Sequence, residues 1–544
     1  MEGTANKAAL PWILLGVLMA GSAILILSQT SGFTFIADEW DLVLLRPGWS
    51  PDTLLDPFHE HIIIAPALIF KVLQAMFGIG SPRPMQIAST ATFVATGLLL
   101  FVWLRLRVGD WGALIGAAIV LFLGAAFEDL LWAFQIGYFG SLACGIGALI
   151  ALDREDRKGD IAAAILLVAS ISFSSLGIPF ALGAVTEWLM NPRERGRRWF
   201  VPAAPIVFYA LWWLGWGHEA ESAVSLSNVP DLPKYVFDAA SAAMTSMLGL
   251  ATGDGSEPDQ PHLIWGRLAL VVLIGLAAWR LIRLGKVPRG VAVTATIALA
   301  FFALAALGHN DLRPPTSSRY QLPAVILILL FCGELLRGMK IPGYAFLAAT
   351  VVVAVTSFSG VGLMRDQARD RWKPSAISNQ VTLGAIAIAG DAARPNFVLN
   401  LSSVSVPIAR FQDEVASSGS PGYSDAELAR MDAAYRGLAD QTLIDTEGLI
   451  LSGTGPALTG SGCQTTTPKT GGAVAVFPSE NPVLIINREN TDLEVSLARF
   501  GDPPGSPIGS IYPGSRAWLT LPPDDSTRPW QISLGGRGAV RVCD

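Results

Sequence analysis

Apolar runs of roughly 17 to 25 residues, the length that crosses about 30 Å of hydrocarbon, recur along this chain until about Gly360. They lie near 10–28, 84–104, 111–127, 130–151, 160–175, 178–190, 199–216, 263–284, 290–307, 321–337 and 342–360, about eleven spans. A chain of 544 residues that is 51% hydrophobic and 15% charged, with a mean hydropathy of +0.47, carries too much apolar surface for a water-soluble globule. Lipid is therefore the solvent for most of it. The net charge is only −6 and the basic residues cluster in short loops, so no basic stripe points to nucleic acid. The first run, Leu10 to Leu27, follows one lysine as a signal peptide would, but no clear small-residue cleavage site ends it. It is read as a retained first helix with a cytoplasmic N-terminus.

The stretch Ile62 to Gly78 decides the topology, because it is nearly long enough to span yet carries Lys71 and Gln74 in its middle. Counting it as a span would flip every later loop. Laid on the outer surface as an interfacial helix, it leaves the basic loops on the cytoplasmic side, as the positive-inside bias expects. These loops hold Arg105 and Arg107; Arg154, Arg157 and Lys158; Arg193, Arg195, Arg197 and Arg198; Arg280, Arg283, Lys286 and Arg289; and Arg337 and Lys340. Asp38, Glu39, Asp41, His59, Glu60, His61, Glu128, Asp129, His218, His262, His309, Asp311, Arg313 and Arg319 then share the outer face, where they suit a polar cavity. Tyr235 to Leu250 is amphipathic and flanked by Pro233 and Gly253, so it is expected to lie on that surface, as a lid.

After Gly360 the composition shifts to a soluble domain on the same outer side, giving domains 1–360 and 361–544, with the outer loop and interfacial helix at 29–83. Ser424 and Glu427 form a capping box that starts a helix expected to run to about Leu438. From about 460 the domain is β-rich. Short alternating runs, AVAVF, VLIINR, LEVSLAR, IGSIY, RAWLTL, WQISL and AVRVC, argue for a β-sandwich. Cys463 and Cys543 bracket these runs and would face an oxidising compartment, so they are expected to form a disulfide. Cys144 and Cys332 fall in predicted helices as small apolar residues, and no cysteine pair has metal-ligand spacing.

Asp38 and Glu39 follow directly on the first helix, in FIADEWD, where an ionisable pair at the membrane edge carries a desolvation cost. The plainer alternative is that they mark the lipid–water border and pair with Arg46. His59 and His61 alternate on an extended loop with no third ligand nearby, a pattern more often structural than metal-binding. Glu128 and Asp129 either cap a helix dipole or serve a site. Trp212, Trp213 and Trp216 suit an interface belt, and Trp518 and Trp530 suit either a strand core or a sugar-stacking face.

These residues together resemble the GT-C superfamily of membrane glycosyltransferases. The shared order is a first helix ending in Asp38-Glu39, then a loop with Pro57, His59, Glu60, His61 and Pro66 leading into an interfacial helix. A Gly78 turn, Arg83 at the next span, a basic cytoplasmic turn and an outer Glu128-Asp129 pair follow. Protein O-mannosyltransferases and the bacterial aminoarabinose transferases share this layout. The motifs cover roughly the first third of the chain, and the architecture covers the whole membrane part.

The resemblance implies transfer of a sugar from a polyprenyl-phosphate donor to a glycan, lipid or protein hydroxyl on the outer face of a cytoplasmic (inner) membrane. Asp38, or secondarily Glu39, would be general base on the acceptor hydroxyl. Glu60, Glu128 and Asp129 would orient the acceptor, and Asp38 and Asp129 are the carboxylates that would hold a divalent cation, Mg or Mn, if one is used. For the carrier phosphate Arg319 is favoured, with Arg313 second and Tyr320 as a hydroxyl partner, because the arginine fork matches phosphate oxygens. Two rivals from other classes are a lipid or glycan flippase and a non-catalytic assembly scaffold. Against the flippase, the sequence shows no matching inverted halves, no repeated mid-span charge and no nucleotide-binding loop.

Overall fold

The computed structural model describes residues 2–251, 263–311, 313–401, 404–455, 463–466, 473–476, 482–488, 490–535 and 540–543. His262 lies outside the described residues. The chain divides into two compact units, the first made of Met1–Ser31, Arg46–Val72 and Arg83–Trp372, the second of Gly32–Leu45, Leu73–Pro82 and Lys373–Asp544.

Helices α1 (Glu2–Gln29), α2 (Ile64–Phe77), α3 (Arg83–Leu121), α4 (Phe127–Leu131), α5 (Ile136–Leu152), α6 (Arg157–Phe173) and α7 (Gly177–Leu189) open the series. They are followed by α8 (Phe200–Gly215), α9 (Leu232–Met247), α10 (Leu263–Leu284), α11 (Arg289–Leu307), α12 (Ser318–Leu336) and α13 (Gly343–Gln367). Six segments among the described residues are long and apolar enough to cross a membrane: Ala9–Gln29, Arg83–Leu131, Ala133–Leu152, Arg289–Leu307, Ser318–Leu336 and Gly343–Ala392. These six do not confirm the expected count of eleven. The runs at 84–104 and 111–127 fall together in the second segment as two helices joined at Gly109, whose φ of 77° glycine takes without a side-chain clash. Those at 160–175, 178–190 and 199–216 fall on helices of 17, 13 and 16 residues, and α10 is not among the six. Helix α2 has 14 residues and reaches only about 21 Å, too short to cross.

Buried ion pairs gather the basic loops at one end of the first unit. Arg107 Nε donates to Glu334 at 2.6 Å and its Nη2 lies 2.9 Å from Asp153, while Arg198 Nη2 lies 2.7 Å from Asp160. The side chains of Arg107, Glu334, Arg198 and Asp160 are at most 5% exposed, so each charge depends on its partner. Arg289 links Glu155 and Glu187 at 2.8 and 3.2 Å, and Arg280 donates to the Arg337 carbonyl at 3.2 Å. Gly290 makes room for the Glu334 carboxylate, which a Cβ there would meet at 2.3 Å. One end thus holds the bend of α3 and the loops that follow α5, α7, α10 and α12.

Helix α9 departs from expectation, because it packs against α10, α11 and α12 instead of lying on a surface. Its face of Ala239, Ala240, Ser241, Ala242 and Ala243 is buried, and these small side chains permit a close approach. A Cβ on Gly266 of α10 would stand 2.0 Å from the Ser241 carbonyl.

In the second unit, α14 (Lys373–Ala389), α15 (Asp425–Leu428) and α16 (Ala433–Glu447) accompany eleven strands among the described residues. Strands β1 (Val398–Leu401) and β2 (Val404–Pro407) form a small antiparallel ribbon. The remaining strands are β3 (Leu451–Ser452), β4 (Cys463–Thr466), β5 (Ala473–Val476), β6 (Val483–Asn487), β7 (Leu493–Ala498), β8 (Ser506–Ile511), β9 (Arg516–Leu519), β10 (Gln531–Gly535) and β11 (Val540–Cys543). They make two sheets, ordered β3-β9-β6-β11-β4 and β5-β10-β7-β8. Val483, Ile485 and Val542 of one sheet share a core with Val495, Leu497 and Ile532 of the other, and α14 and α16 add Val381, Ala385 and Leu443. Trp518 and Trp530 are 6% and 3% exposed, which makes them core residues and not a stacking face.

Cys463 and Cys543 face each other across β4 and β11 and are joined as the expected disulfide, closing a separation of 80 residues. The Ser424 box is present, its N–H donating to Glu427 Oε2 at 2.9 Å, but the helix stops at Leu428 and restarts at Ala433 after Asp432. Two earlier segments build into this unit. Arg410 Nε donates to the Leu44 carbonyl at 2.8 Å, and Gln74 Nε2 donates to Glu414 Oε1 at 2.8 Å.

Removing one member of the buried basic-end network leaves a charge without its counterpart. Arg107→Ala is expected to lower unfolding stability by about 3 kcal/mol or more, and Arg107→Met with Glu334→Leu to recover most of it. Thermal unfolding in detergent checks this. A single variant as stable as wild type would show that the pair carries no structural weight.

Candidate active site

A tight turn prepares the polar end of the site. Phe58 and His61 exchange backbone hydrogen bonds, Phe58 N–H to His61 O at 3.0 Å and His61 N–H to Phe58 O at 2.9 Å. His59 sits at the tip of this turn with φ 48°, so Glu60 and His61 project from a fixed frame. Arg46 clamps the approach, donating to the carbonyls of Asp56 at 2.9 Å and Pro57 at 3.0 Å.

Glu60 meets Arg313 in a close ion pair, and His61 Nε2 lies 3.6 Å from Glu60 Oε1. Burial acts to raise the Glu60 pKa, but His61, the Arg313 guanidinium and a backbone N–H outweigh it and hold the carboxyl below the usual range. Burial and Arg313 push the His61 imidazole down against the pull of Glu60, so the ring is neutral at neutral pH. A third of the His61 side chain stays open, yet its Nδ1 is buried without a hydrogen-bond partner among the described residues. Arg313 is held in turn by Asn310, whose carbonyl accepts its N–H at 2.9 Å, and by Tyr235, whose hydroxyl donates to its carbonyl at 3.2 Å.

These three residues form one end of a cavity of about 400 Å³ in the first unit. Tyr138, Tyr209, Trp212, Trp213, Phe301 and Tyr320 supply its aromatic walls, and Ser174, Ser175 and His218 add polar groups. Ser175 Oγ is a second buried polar atom with no partner among the described residues. A chamber that shows unpaired polar atoms beside aromatic faces suits a ligand with both hydroxyl and apolar surface. The walls are tied to the loop before Glu60, since Trp212 Nε1 donates to the Leu55 carbonyl at 2.7 Å and Trp216 Nε1 to Asp52 at 3.0 Å.

The other sequence candidates are not among the residues that line this cavity. Arg319 does not line the cavity; its N–H donates to Glu128 Oε2 at 3.2 Å and its Nε lies 3.5 Å from the same oxygen. Glu128 N–H donates to Ser318 Oγ at 3.2 Å, so this acid ties α4 to the start of α12. Asp129 is fully buried, and neither carboxylate oxygen has a hydrogen-bond partner among the described residues. Asp38 and Glu39 belong to the second unit. Glu39 is 3% exposed and its carboxylate accepts the Ile36 N–H at 2.9 Å, bracing its own turn, while Asp38 is partly exposed. Among the described residues no cluster of three or more His, Cys, Asp or Glu side chains has the geometry of a metal site.

Of the sequence candidates, Glu60, His61, Arg313 and Tyr320 line this one cavity, together with Tyr138, Ser174, Ser175 and Tyr209, which the sequence did not single out. The run LWWLGW at 211–216 was the available signal for Trp212 and Trp213, since such density of indole suits a binding wall as well as an interface belt.

The lowered Glu60 pKa gives a signed expectation. Its stabilising contribution is present above the ordinary carboxylate range and is lost as pH falls through the lower folded value. Glu60→Gln should therefore flatten the acid limb of a melting-temperature profile and leave a deficit near neutrality. Identical profiles for wild type and variant would contradict the pairing with Arg313.

No family model and no curated protein matches this chain. Two solved structures are similar to it. ArnT from Cupriavidus metallidurans bound to undecaprenyl phosphate is 12% identical at a TM-score of 0.44, over 74% of this chain and 84% of that one. The same protein in the apo state is 12% identical at 0.44, over 78% and 91%.

Proposed function

We propose that this chain is a membrane glycosyltransferase that moves a sugar from a polyprenyl-phosphate donor to an acceptor hydroxyl of an envelope glycan, lipid or protein. The observation that carries the reading is the first-unit cavity, where an arginine–carboxylate–imidazole end meets aromatic walls and two unpaired polar atoms. A sugar phosphate on an isoprenoid chain has the matching parts: anionic oxygens for the Arg313 fork, hydroxyls for His61 and Ser175, and faces for Trp212 and Trp213. Glu60 engages only Nη1 of Arg313, which leaves further guanidinium donors for phosphate.

In the reaction proposed, the acceptor oxygen attacks the anomeric carbon, and the bond from that carbon to the phosphate oxygen breaks with its electron pair going to phosphate. Arg313 stabilises the charge that develops on the leaving group. The acceptor proton passes to a carboxylate, and the resemblance assigns that role to Asp38. Glu39 is a poor choice, because its carboxylate already accepts a backbone N–H.

The flippase reading meets an obstacle at the basic end of the same unit, where Arg107, Glu334, Asp153, Arg198 and Asp160 are locked in buried pairs. A path through the bundle would have to break them.

A transfer assay in nanodiscs, with a panel of labelled polyprenyl-phosphate sugars and membrane-derived acceptor, tests the proposal. Wild type should transfer at least one donor. Asp38→Asn should abolish turnover while donor still binds, and Arg313→Ala should weaken donor binding at least tenfold, with Arg313→Lys restoring only part because it lacks the planar fork. Donor binding without transfer by wild type would favour carrier translocation or a scaffold. Transfer that survives Asp38→Asn would keep the enzyme class and remove Asp38 as base.

A further inference from the structure

A second cavity, of about 410 Å³, opens at the basic end of the first unit between α3, α12 and α13. It lies towards the C-terminal end of α12, whereas the candidate active site meets Tyr320 at that helix's start. Its wall is apolar, with Leu104, Leu329, Cys332 and Phe346, and Lys340 is the one charged residue in the lining. Lys340 is exposed and no carboxylate pairs with it among the described residues. Arg337 and Arg280 are close to each other, since the Arg280 guanidinium donates to the Arg337 carbonyl at 3.2 Å. Of the acids nearby, Glu334 is drawn inward to Arg107 at 2.6 Å and stands 3.6 Å from Arg337, and Asp110, between the lining residues Val108 and Gly112, is paired with Arg105. The segment therefore presents an apolar recess with surplus positive charge at the membrane edge.

We propose that this recess seats an acyl chain of an anionic membrane lipid, with the lipid phosphate held by Lys340. Any apolar helix face in a bilayer meets lipid chains. This one differs in being recessed and in ending on an uncompensated ammonium, which selects headgroup charge as well as chain. The apolar length of Leu104, Leu329 and Phe346 accepts the chain by burial alone, and the ammonium then distinguishes an anionic lipid from a zwitterionic one. The site is independent of the sugar-transfer reading, since it shares no lining residue with the candidate active site.

The test uses the full chain in phosphatidylcholine nanodiscs doped with acyl-chain diazirine probes bearing either a phosphatidylglycerol or a phosphatidylcholine headgroup. After photolysis, adducts are mapped by peptide mass spectrometry. The phosphatidylglycerol probe should label residues 104–116 and 329–349 about fivefold more than the phosphatidylcholine probe. Lys340→Gln, a change on an exposed residue, should bring that ratio close to one, and Ala349→Trp, which fills the recess, should lower labelling by both probes. Equal labelling of wild type by the two probes overturns the proposal. So do adducts spread over other apolar helix faces, which would be annular lipid only, and links between two protein chains through these segments, which would make a second copy the occupant.

Discussion

The close pair between Glu60 and Arg313 is the interaction on which the candidate site depends. The two residues are 253 positions apart, and their contact brings the turn at 58–61 to the loop before α12. Without it, the turn would lose its anchor and the cavity its ionic end. Arg46 and Trp212 hold the same loop through its carbonyl groups, so the pair rests on a frame fixed from several sides. The arrangement costs desolvation of both charges, a cost that a functional site commonly carries.

At the opposite end the charges are paired between helices. Arg107, Arg198 and Arg289 are neutralised by acids on neighbouring helices, and the first two leave almost no side chain exposed. Matched pairs brace one end, while the other has His61 Nδ1 and Ser175 Oγ without a hydrogen-bond partner among the described residues, beside aromatic walls.

Much of this was legible in the sequence because the bilayer imposes long-range order on short-range pattern. The basic loops could be assigned to one end by counting spans, and the Arg107, Arg198 and Arg337 contacts put them there. Cys463 and Cys543 were paired by compartment logic, and alternating runs marked the sheets. What resisted reading were choices settled by partners remote in sequence. Arg319 and Arg313 look alike on their loop, but Glu128 takes one and the cavity takes the other. Trp212 finds the Leu55 carbonyl 157 positions away, and the Ala/Ser face of α9 looked amphipathic until Gly266 of α10 admitted it to the bundle. Helix α15 begins at its capping box as read, yet ends ten residues before the expected Leu438, since an N-cap sets a start and says nothing of the stop.

The most direct test of the account is cryo-electron microscopy of the protein in nanodiscs with a polyprenyl-phosphate sugar that it binds. The account predicts density for the phosphate against Arg313 and for the sugar between His61, Ser175 and the Trp212–Trp213 wall, with the Glu60–Arg313 pair retained. Ligand density elsewhere on the protein, with this cavity left to water, would contradict it.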